Sequence, residues 1–178
     1  MSLFHRQKVI RKKWMLYTRL LLLLMLIIPQ LSLANQTVYF EPRTVELTGT
    51  IVTLKFPGPP NYESIKNGDR DETGPYLILN NPIDIKLSSN VQTGNDEPTK
   101  NVKLIQLIVL NDSDWDKVKE GNQAHITGTL SSALTGHHHA RILLDINKIS
   151  VVSQRAIINK LDVTTNDLEF LENQNLQN

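Results

Sequence analysis

Residues Thr44–Phe56 read TVELTGTIVTLKF, which is the pattern of a long β-strand. Apolar and polar residues alternate at its start, and β-branched residues are frequent along it, as extended backbone favours. Gly49 lies midway, where a residue without a side chain permits a bulge or a sharp bend. A long strand that bends in this way suits a curved sheet.

Four further segments have the composition of strands. Pro82, in the second strand, predicts an edge or a break in pairing, because proline cannot donate to the ladder. The third strand, VKLIQLIVL, is almost continuously apolar, which is typical of a buried central strand. The four segments are Tyr76–Leu87, Val102–Leu110, Gln123–Leu130 and Arg141–Val152.

One short helix is predicted between the third and fourth strands. Asn111 and the following acidic residues suit a helix start, and Gly121 suits its end. Trp115 and Val118, three residues apart, would form the buried stripe of this helix.

The order of these elements predicts an all-β domain with one short helix, an OB-fold-like five-stranded Greek-key barrel, over residues 35–152. A β-sandwich needs about seven strands, and a doubly wound sheet needs several crossover helices. We expect the tail, residues 153–178, to be a loosely attached helix or disordered, without a function of its own.

Residues 1–34 have the pattern of a secretory signal peptide. Met1–Arg19 is basic without an acidic residue, Leu20–Ile28 is apolar, and Ser32-Leu33-Ala34 places small residues where a signal peptidase cleaves. The alternative is a permanent anchor, but the nine apolar residues fall short of the roughly 20 that cross a bilayer. We therefore predict cleavage after Ala34, a periplasmic location with secretion to the exterior as the alternative, and no stable membrane anchor.

Composition narrows the possible functions further. Six of the 19 basic residues and none of the 18 acidic ones lie in the leader, so residues 35–178 carry a formal charge of −5. Nucleic acid is a poor partner for an acidic protein, because a phosphate backbone requires a basic footprint. The chain has no cysteine, which excludes disulfides, thiol nucleophiles, thiolate metal ligands and acylated cysteine anchors.

The loop after the first strand is the first distinctive motif, with the sequence PGPPNYES at residues 57–64. Three prolines and a glycine stiffen this backbone, so the polar residues that follow are held in place. One interpretation is a rigid connection whose Tyr62 packs on the barrel while Glu63 caps a turn. The other is a preformed ligand-binding loop, with Tyr62, Glu63, Asp69 and Glu72 as candidate binding residues.

The second motif is TGHHH, residues 135–139, before the last strand. In extended backbone His137 and His139 would share one face, and His138 would lie on the other. Two imidazoles can bind zinc or another divalent transition metal, with a third ligand from Glu63, Asp69 or Glu72. The alternative is a turn pinned by histidine hydrogen bonds. In either case the triplet is expected to respond to pH, because neighbouring imidazolium charges repel.

The two motifs occupy the two loops that flank the ligand-binding face in OB-folds, those between strands one and two and strands four and five. The sequence therefore predicts that Asn61–Glu72 and Thr135–His139 approach within contact distance at one rim. Such an approach would favour one shared site that involves Tyr62, Glu63 and the three histidines, with the prolines of the first loop holding it in shape.

Three segments resemble the signature segments of a known family: Pro57–Asp69, Val102–Val109 and Gly128–Leu144. The family is an uncharacterised exported bacterial one, domain of unknown function four-four-three-one, and the resemblance spans roughly residues 40–152. Ala140-Arg141 stands where the family has a Thr-Pro pair, so no role of that threonine carries over. The resemblance implies an envelope-located OB-like domain and supplies no activity.

Three functions remain open. The first is a periplasmic binding or inhibitory module that recognises an envelope protein, peptide or glycan through the two loops. The second is a metal-binding protein that uses His137 and His139. The third is a small hydrolase with Glu63 and His139 as an acid–base pair, although no nucleophile elbow, metalloprotease helix or phosphate-binding glycine loop is present in the sequence.

Overall fold

The computed structural model describes residues 34–88, 96–154 and 162–176, and these form a mostly β structure. Within these ranges six strands belong to one mixed sheet, and one α-helix lies at residues 165–176. The elements are β1 (Gln36–Tyr39), β2 (Thr44–Pro57), β3 (Asp71–Lys86), β4 (Thr99–Ile108), β5 (Gln123–Ser132), β6 (Ile142–Ser153) and α1 (Thr165–Leu176), with 3₁₀ turns at Ile65–Asn67 and Asp112–Asp114.

The pairings of five strands form a continuous cycle. The sheet order is β1-β3-β2-β5-β6-β4, and β4 also pairs with β3. The β4–β6 pairing is parallel, whereas the other four pairings of the cycle are antiparallel. The five predicted strands are confirmed, although β3 begins five residues earlier than expected.

Gly49 lies where β2 is shared by two neighbours. Its pairing partners are Leu79 on β3 and Ala124 on β5, and the register is regular on both sides. A Cβ atom at Gly49 would lie 2.2 Å from the carbonyl oxygen of Ile78. The glycine therefore permits close approach of β3 rather than a bulge. A register shift flanks Pro82 instead, between Ile78 and Ile83, which confirms the predicted break in pairing.

Two clusters of buried apolar residues lie on opposite faces of the strands. The main core draws on all six strands and includes Ile51, Leu77 and Ile105. Neighbouring residues in the same strands point the other way, because side chains alternate along a strand. These form a second cluster, here called the outer cluster, which comprises Val52, Tyr76, Ile78, Leu104 and Ala140, with Leu54 and Phe56 packed against it.

The predicted helix over residues 111–119 is wrong. Only the 3₁₀ turn Asp112–Asp114 forms there. Trp115 is 51% exposed rather than buried, although Val118 is buried as expected. The segment is short for a helix that must nucleate on its own, and Asn122 closes it by donating to the Lys117 carbonyl at 3.0 Å. Gly121, predicted as the end of this helix, has a positive φ of 83° in the turn before β5.

Sequence reasoning also missed β1, a strand of four residues that pairs in parallel with β3. Four residues are too few to display a period. Asn35 donates to Asp84 at 3.0 Å, and Asp84 also accepts from the Asn101 amide, which lowers the pKa of this carboxyl from its ordinary value.

The tail contains α1, which confirms the helical expectation. Val163, before α1, and Leu171, within it, pack against the outer cluster. Within the described ranges no helix is long and apolar enough to cross a membrane. The predicted signal peptide lies in residues 1–33, outside the described residues, and its last residue, Ala34, begins them.

Candidate functional site

The loop between β2 and β3, residues 58–70, is called the Pro-Gly loop, and it is braced from within. The buried carboxylate of Asp69 accepts three backbone N–H bonds, from Asn61 at 2.9 Å and from Glu63 and Ser64 at 2.8 Å each. These bonds, that from Ser64 above all, hold the pKa of Asp69 below its ordinary value. Gly58 adds a short backbone bond to the Arg70 carbonyl, at 2.7 Å.

This bracing holds Tyr62 in an uncommon conformation. Its φ is 62°, in the left-handed region that bulky residues seldom adopt. The Tyr62 amide donates to the Gly58 carbonyl at 3.0 Å, so the turn is closed directly behind the ring. The aromatic side chain is therefore presented by the loop rather than packed into the core.

The loop between β5 and β6, residues 133–141, is called the histidine loop, and it is braced from outside by Gln106 of β4. The Gln106 Oε1 atom accepts from the amides of His139 at 2.7 Å and Ala140 at 3.3 Å, and its Nε2 donates to the His137 carbonyl at 2.9 Å. Gln106 is buried, so these bonds replace its hydration. Sequence reasoning missed this residue. A single amide in the apolar run VKLIQLIVL was the available signal, since a buried polar side chain needs partners.

His138 holds the same loop from within. Its Nδ1 accepts the amides of Leu134 at 2.9 Å and Thr135 at 3.2 Å. An accepting Nδ1 requires the neutral ring, and burial, followed by the neighbouring His137 and His139 charges, lowers the pKa of His138. His138 thus fits the predicted turn-pinning role.

The two loops meet at Tyr62, His137 and Glu72, which are together called the rim triad. The Tyr62 hydroxyl lies 2.9 Å from His137 Nε2, and His137 Nδ1 lies 2.6 Å from Glu72 Oε1. An ionised carboxylate can only accept, so the Nδ1 proton points to Glu72, and Nε2 of the neutral ring accepts the Tyr62 O–H. The predicted approach of the two loops is therefore confirmed.

Gly136 lets the loops come this close. A Cβ atom there would lie 3.1 Å from Cδ2 of the Tyr62 ring. The ring packs over this bare backbone and meets the His137 ring edge-on at a centroid distance of 5.1 Å. Packing and hydrogen bonding thus fix the same pair of side chains.

His139 lies beneath the rim triad and connects it to the outer cluster. Its buried ring stacks on Phe56, with centroids 4.4 Å apart and planes 5° from parallel, and its Nε2 is 3.6 Å from Glu72 Oε2. Phe56 in turn meets Tyr76 at 5.8 Å. The polar rim and the apolar face are therefore contiguous.

The seven sequence-predicted site residues take different positions. Tyr62, Glu72 and His137 form the rim triad, and His139 lies below it. His138 and Asp69 hold their own loops. Glu63 is exposed, and the carboxylate bonded to a histidine here is that of Glu72. The hypothesis of an acid–base pair of Glu63 and His139 stays a prediction, and the histidine–carboxylate hydrogen bond at this rim is that of His137 and Glu72.

A transition metal would have to displace bonds that already exist. Among the described residues, no three or more His, Asp or Glu side chains are grouped so as to hold a metal ion. Both ring nitrogens of His137 bond Tyr62 and Glu72. A metal at His137 and His139 would recruit Glu72 as the third ligand only by removing its hydrogen bond to His137.

One known family model matches part of the chain. The family model of a domain of unknown function (DUF4431) matches residues 104–150. The match runs from β4 into β6, includes both Gln106 and the histidine loop, and confirms the resemblance to this family over residues 104–150. No curated protein matches the chain. The family has no assigned function, so the match adds no activity to the geometry.

Proposed function

We propose that this chain is an exported, periplasmic binding or inhibitory module that recognises an envelope protein, peptide or glycan through the rim triad. One observation carries the proposal: Tyr62 lies in the Pro-Gly loop, Glu72 lies at the start of β3 and His137 lies in the histidine loop, and hydrogen bonds of 2.9 and 2.6 Å join all three. Two separate loops converge on one exposed polar and aromatic cluster.

Preorganisation supports binding at this cluster. Tyr62 is fixed by its loop and by Gly136, so little side-chain entropy remains to be lost when a ligand is bound. Its ring offers an apolar face to a sugar or a side chain, and the hydroxyl is a polar contact beside it. The exposed imidazole of His137 adds a second polar group.

The proposal includes an OB-like barrel built from β2 to β6. Its support is the cycle of pairings β2-β3-β4-β6-β5 that returns to β2, with one parallel pair. In an OB-fold counted from β2, the loops that bind ligands are the first and the fourth. These are the Pro-Gly loop and the histidine loop.

Export is proposed from the leader, and the mature N-terminus tests it. The expected mature chain begins at Asn35, directly before β1. Mass analysis of protein from a periplasmic fraction should give the mass of residues 35–178. Recovery of the intact chain from the inner membrane would contradict both cleavage and the periplasmic location.

Capture from envelope extract tests the binding function. The bait is the mature protein, compared with Tyr62→Ala and His137→Ala variants, and with Glu46→Gln near the start of β2 as a matched surface control. A specific partner is expected with the wild type and the control, and not with either rim variant. Equal capture by all four proteins would place recognition elsewhere, and glycan arrays with the same four proteins would separate sugar from protein ligands.

A second candidate is a small hydrolase, because the rim triad has the arrangement of a general-base relay. Glu72 orients His137, and His137 accepts from the Tyr62 hydroxyl. General-base catalysis contributes about 10²–10⁴-fold. Hydrolysis of activated aryl esters that falls by about 100-fold or more in His137→Ala, but not in Glu46→Gln, would favour the enzyme over the binding module.

The metal-binding alternative is tested separately. Elemental analysis of tag-free protein purified from periplasm is expected to give no stoichiometric zinc, copper or nickel, since His137 is already bonded on both nitrogens. One equivalent of metal that is lost in a His137→Ala/His139→Ala variant would reverse that assignment.

A further inference from the structure

The outer cluster forms an apolar face directly below the rim triad. The stack of Phe56 on His139 connects the two, and Ala140 of the histidine loop belongs to the cluster itself. The face is formed by outward side chains of β2, β3 and β4, including Val52, Ile78 and Leu104. A buried apolar face on the outside of a sheet requires a cover.

The cover is the chain's own C-terminal segment, residues 162–171. Val163 and Leu171 pack on the cluster, and Arg141 lies over the ring of Phe170, 5.2 Å from its centroid. Apolar side chains of this cover keep contact with solvent: Val163 and Leu171 are only partly buried, and Leu168 is 42% exposed.

A polar anchor positions this segment. The buried Oδ2 atom of Asp167 accepts from the backbone amides of Lys103 at 3.0 Å and Leu104 at 3.2 Å, and from the amide and hydroxyl of Thr164. Asn166 adds a bond to the Lys100 carbonyl at 2.9 Å. Asp167 and Thr164 therefore form a capping box at the start of α1, and the same Asp167 carboxylate accepts from donors of β4.

The anchor also carries a cost. Desolvation raises the pKa of Asp167 despite its four hydrogen bonds, so the charged form is held against a solvation penalty. An isolated helix of 12 residues is marginal in water. The segment is thus a specific cover with modest binding energy, which is what an exchangeable occupant requires.

We propose that the outer cluster is a binding surface for a short helical polypeptide with an aspartate at its first turn and an apolar residue four positions later, and that residues 162–171 are its resident occupant. The spacing is that of Asp167 and Leu171. This deepens the proposed function, because the surface adjoins the rim triad: a polypeptide partner would contact the rim and displace the tail from the face below it.

The test uses the full chain and a labelled synthetic peptide of residues 162–176 as the probe. Because the protein has no cysteine, a Lys100→Cys/Asn166→Cys variant can tie the tail to β4 reversibly. The reduced form is expected to bind the peptide, and the oxidised form to bind it at least about tenfold more weakly, since the resident segment then blocks the surface. Equal binding by the two forms, or binding by neither, would overturn the proposal.

A second variant guards against failure of the cross-link to form. Asp167→Asn in the full chain should weaken the resident segment and increase peptide affinity, whereas Glu169→Gln, on an exposed position of α1, should leave it unchanged. A peptide with asparagine at the position of Asp167 should bind less tightly to either protein. If neither Asp167→Asn in the full chain nor the same change in the peptide alters the peptide affinity, the proposal is also overturned.

The peptide-binding test and the capture test of the proposed function can fail independently. His137→Ala alters the rim triad and not the contacts of Asp167, so it should leave peptide binding intact. If the peptide exchanges but capture does not depend on the rim triad, the outer cluster is a binding surface and the proposed function of the rim triad is wrong. If capture depends on the rim triad but the peptide does not exchange, the proposed function stands and this inference is wrong.

Discussion

The two loops that form the candidate site are held in place in opposite ways. In the Pro-Gly loop, Asp69 bonds amides five to eight residues away, so the brace and the braced backbone are sequence neighbours. In the histidine loop, the main brace is Gln106, which lies 31 to 34 residues away on another strand. The Pro-Gly loop is braced by one of its own residues, whereas the histidine loop is braced by a residue of the sheet.

Because the two loops are braced differently, they should be sensitive to substitutions at different places. A locally braced loop depends on a few adjacent residues, whereas a loop braced from β4 loses its shape when a strand residue far from the site changes. His138 is an intermediate case, since it adds a local brace of two amides to the histidine loop.

The largest effect is expected for Gln106→Leu. This change leaves the buried amides of His139 and Ala140 and the His137 carbonyl without their partner, which should cost roughly 3 kcal/mol of unfolding free energy. Urea unfolding measures it. Gln106→Glu keeps the acceptor for both amides but turns a carboxylate oxygen toward the His137 carbonyl, so it should also destabilise the fold. If Gln106→Leu unfolds at the same urea concentration as the wild type, Gln106 does not brace the loop.

A smaller effect is expected for Asp69→Asn, which should lower the thermal midpoint by a few degrees. The carboxylate is held charged in the fold, with its pKa below 3.8, so its stabilisation is present above pH 3.8 and is lost as pH falls through the folded pKa. The stability difference between wild type and variant should therefore shrink in acid. A constant difference from pH 7 to pH 2 would contradict this role.

The contact between Tyr62 and His137, which joins the two loops, should contribute still less to the free energy of unfolding. A double-mutant cycle of Tyr62→Phe and His137→Ala is expected to give a coupling of about 0.5–1 kcal/mol, because the pair is exposed. The matched cycle of Tyr62→Phe with Glu46→Gln, at the other end of β2, should give no coupling. Comparable coupling in both cycles would mean that Tyr62 acts through general stability and not through His137.

The smallest effect concerns pH and His138. Its lowered pKa means that the fold favours the neutral ring, so its stabilisation is complete above pH 6.5 and declines as pH falls toward the folded pKa. His137 and His139 oppose its protonation, while Asp145 and Glu72 favour it. The loss should be under about 1 kcal/mol, because the ring is partly exposed. A His138→Gln variant should lack this step, and an unchanged pH profile would show that His138 is not the titrating group.

The same contrast explains which predictions from sequence succeeded. The strands were found because alternation and β-branched residues are properties of a few consecutive residues. The Pro-Gly loop was recognised as rigid for the same reason, although the bracing role of Asp69 was not predicted. The helix at residues 111–119 was predicted from its end signals alone. Its apolar stripe consisted only of Trp115 and Val118. In the fold Val118 is buried and Trp115 is exposed.

The mostly β class, the five main strands and the rigidity of the first loop could be predicted from the amino-acid sequence, as could the family match over residues 104–150. Three features became visible only in the folded chain: Glu72 is the carboxylate that joins His137, Gln106 supports the histidines, and residues 162–171 cover the outer cluster. These features depend on contacts between residues that are distant in the sequence. Backbone preferences act between neighbours in the chain, whereas the pairing of β3 with β4 and of β4 with β6 brings together side chains tens of residues apart, and no local pattern encodes those distances.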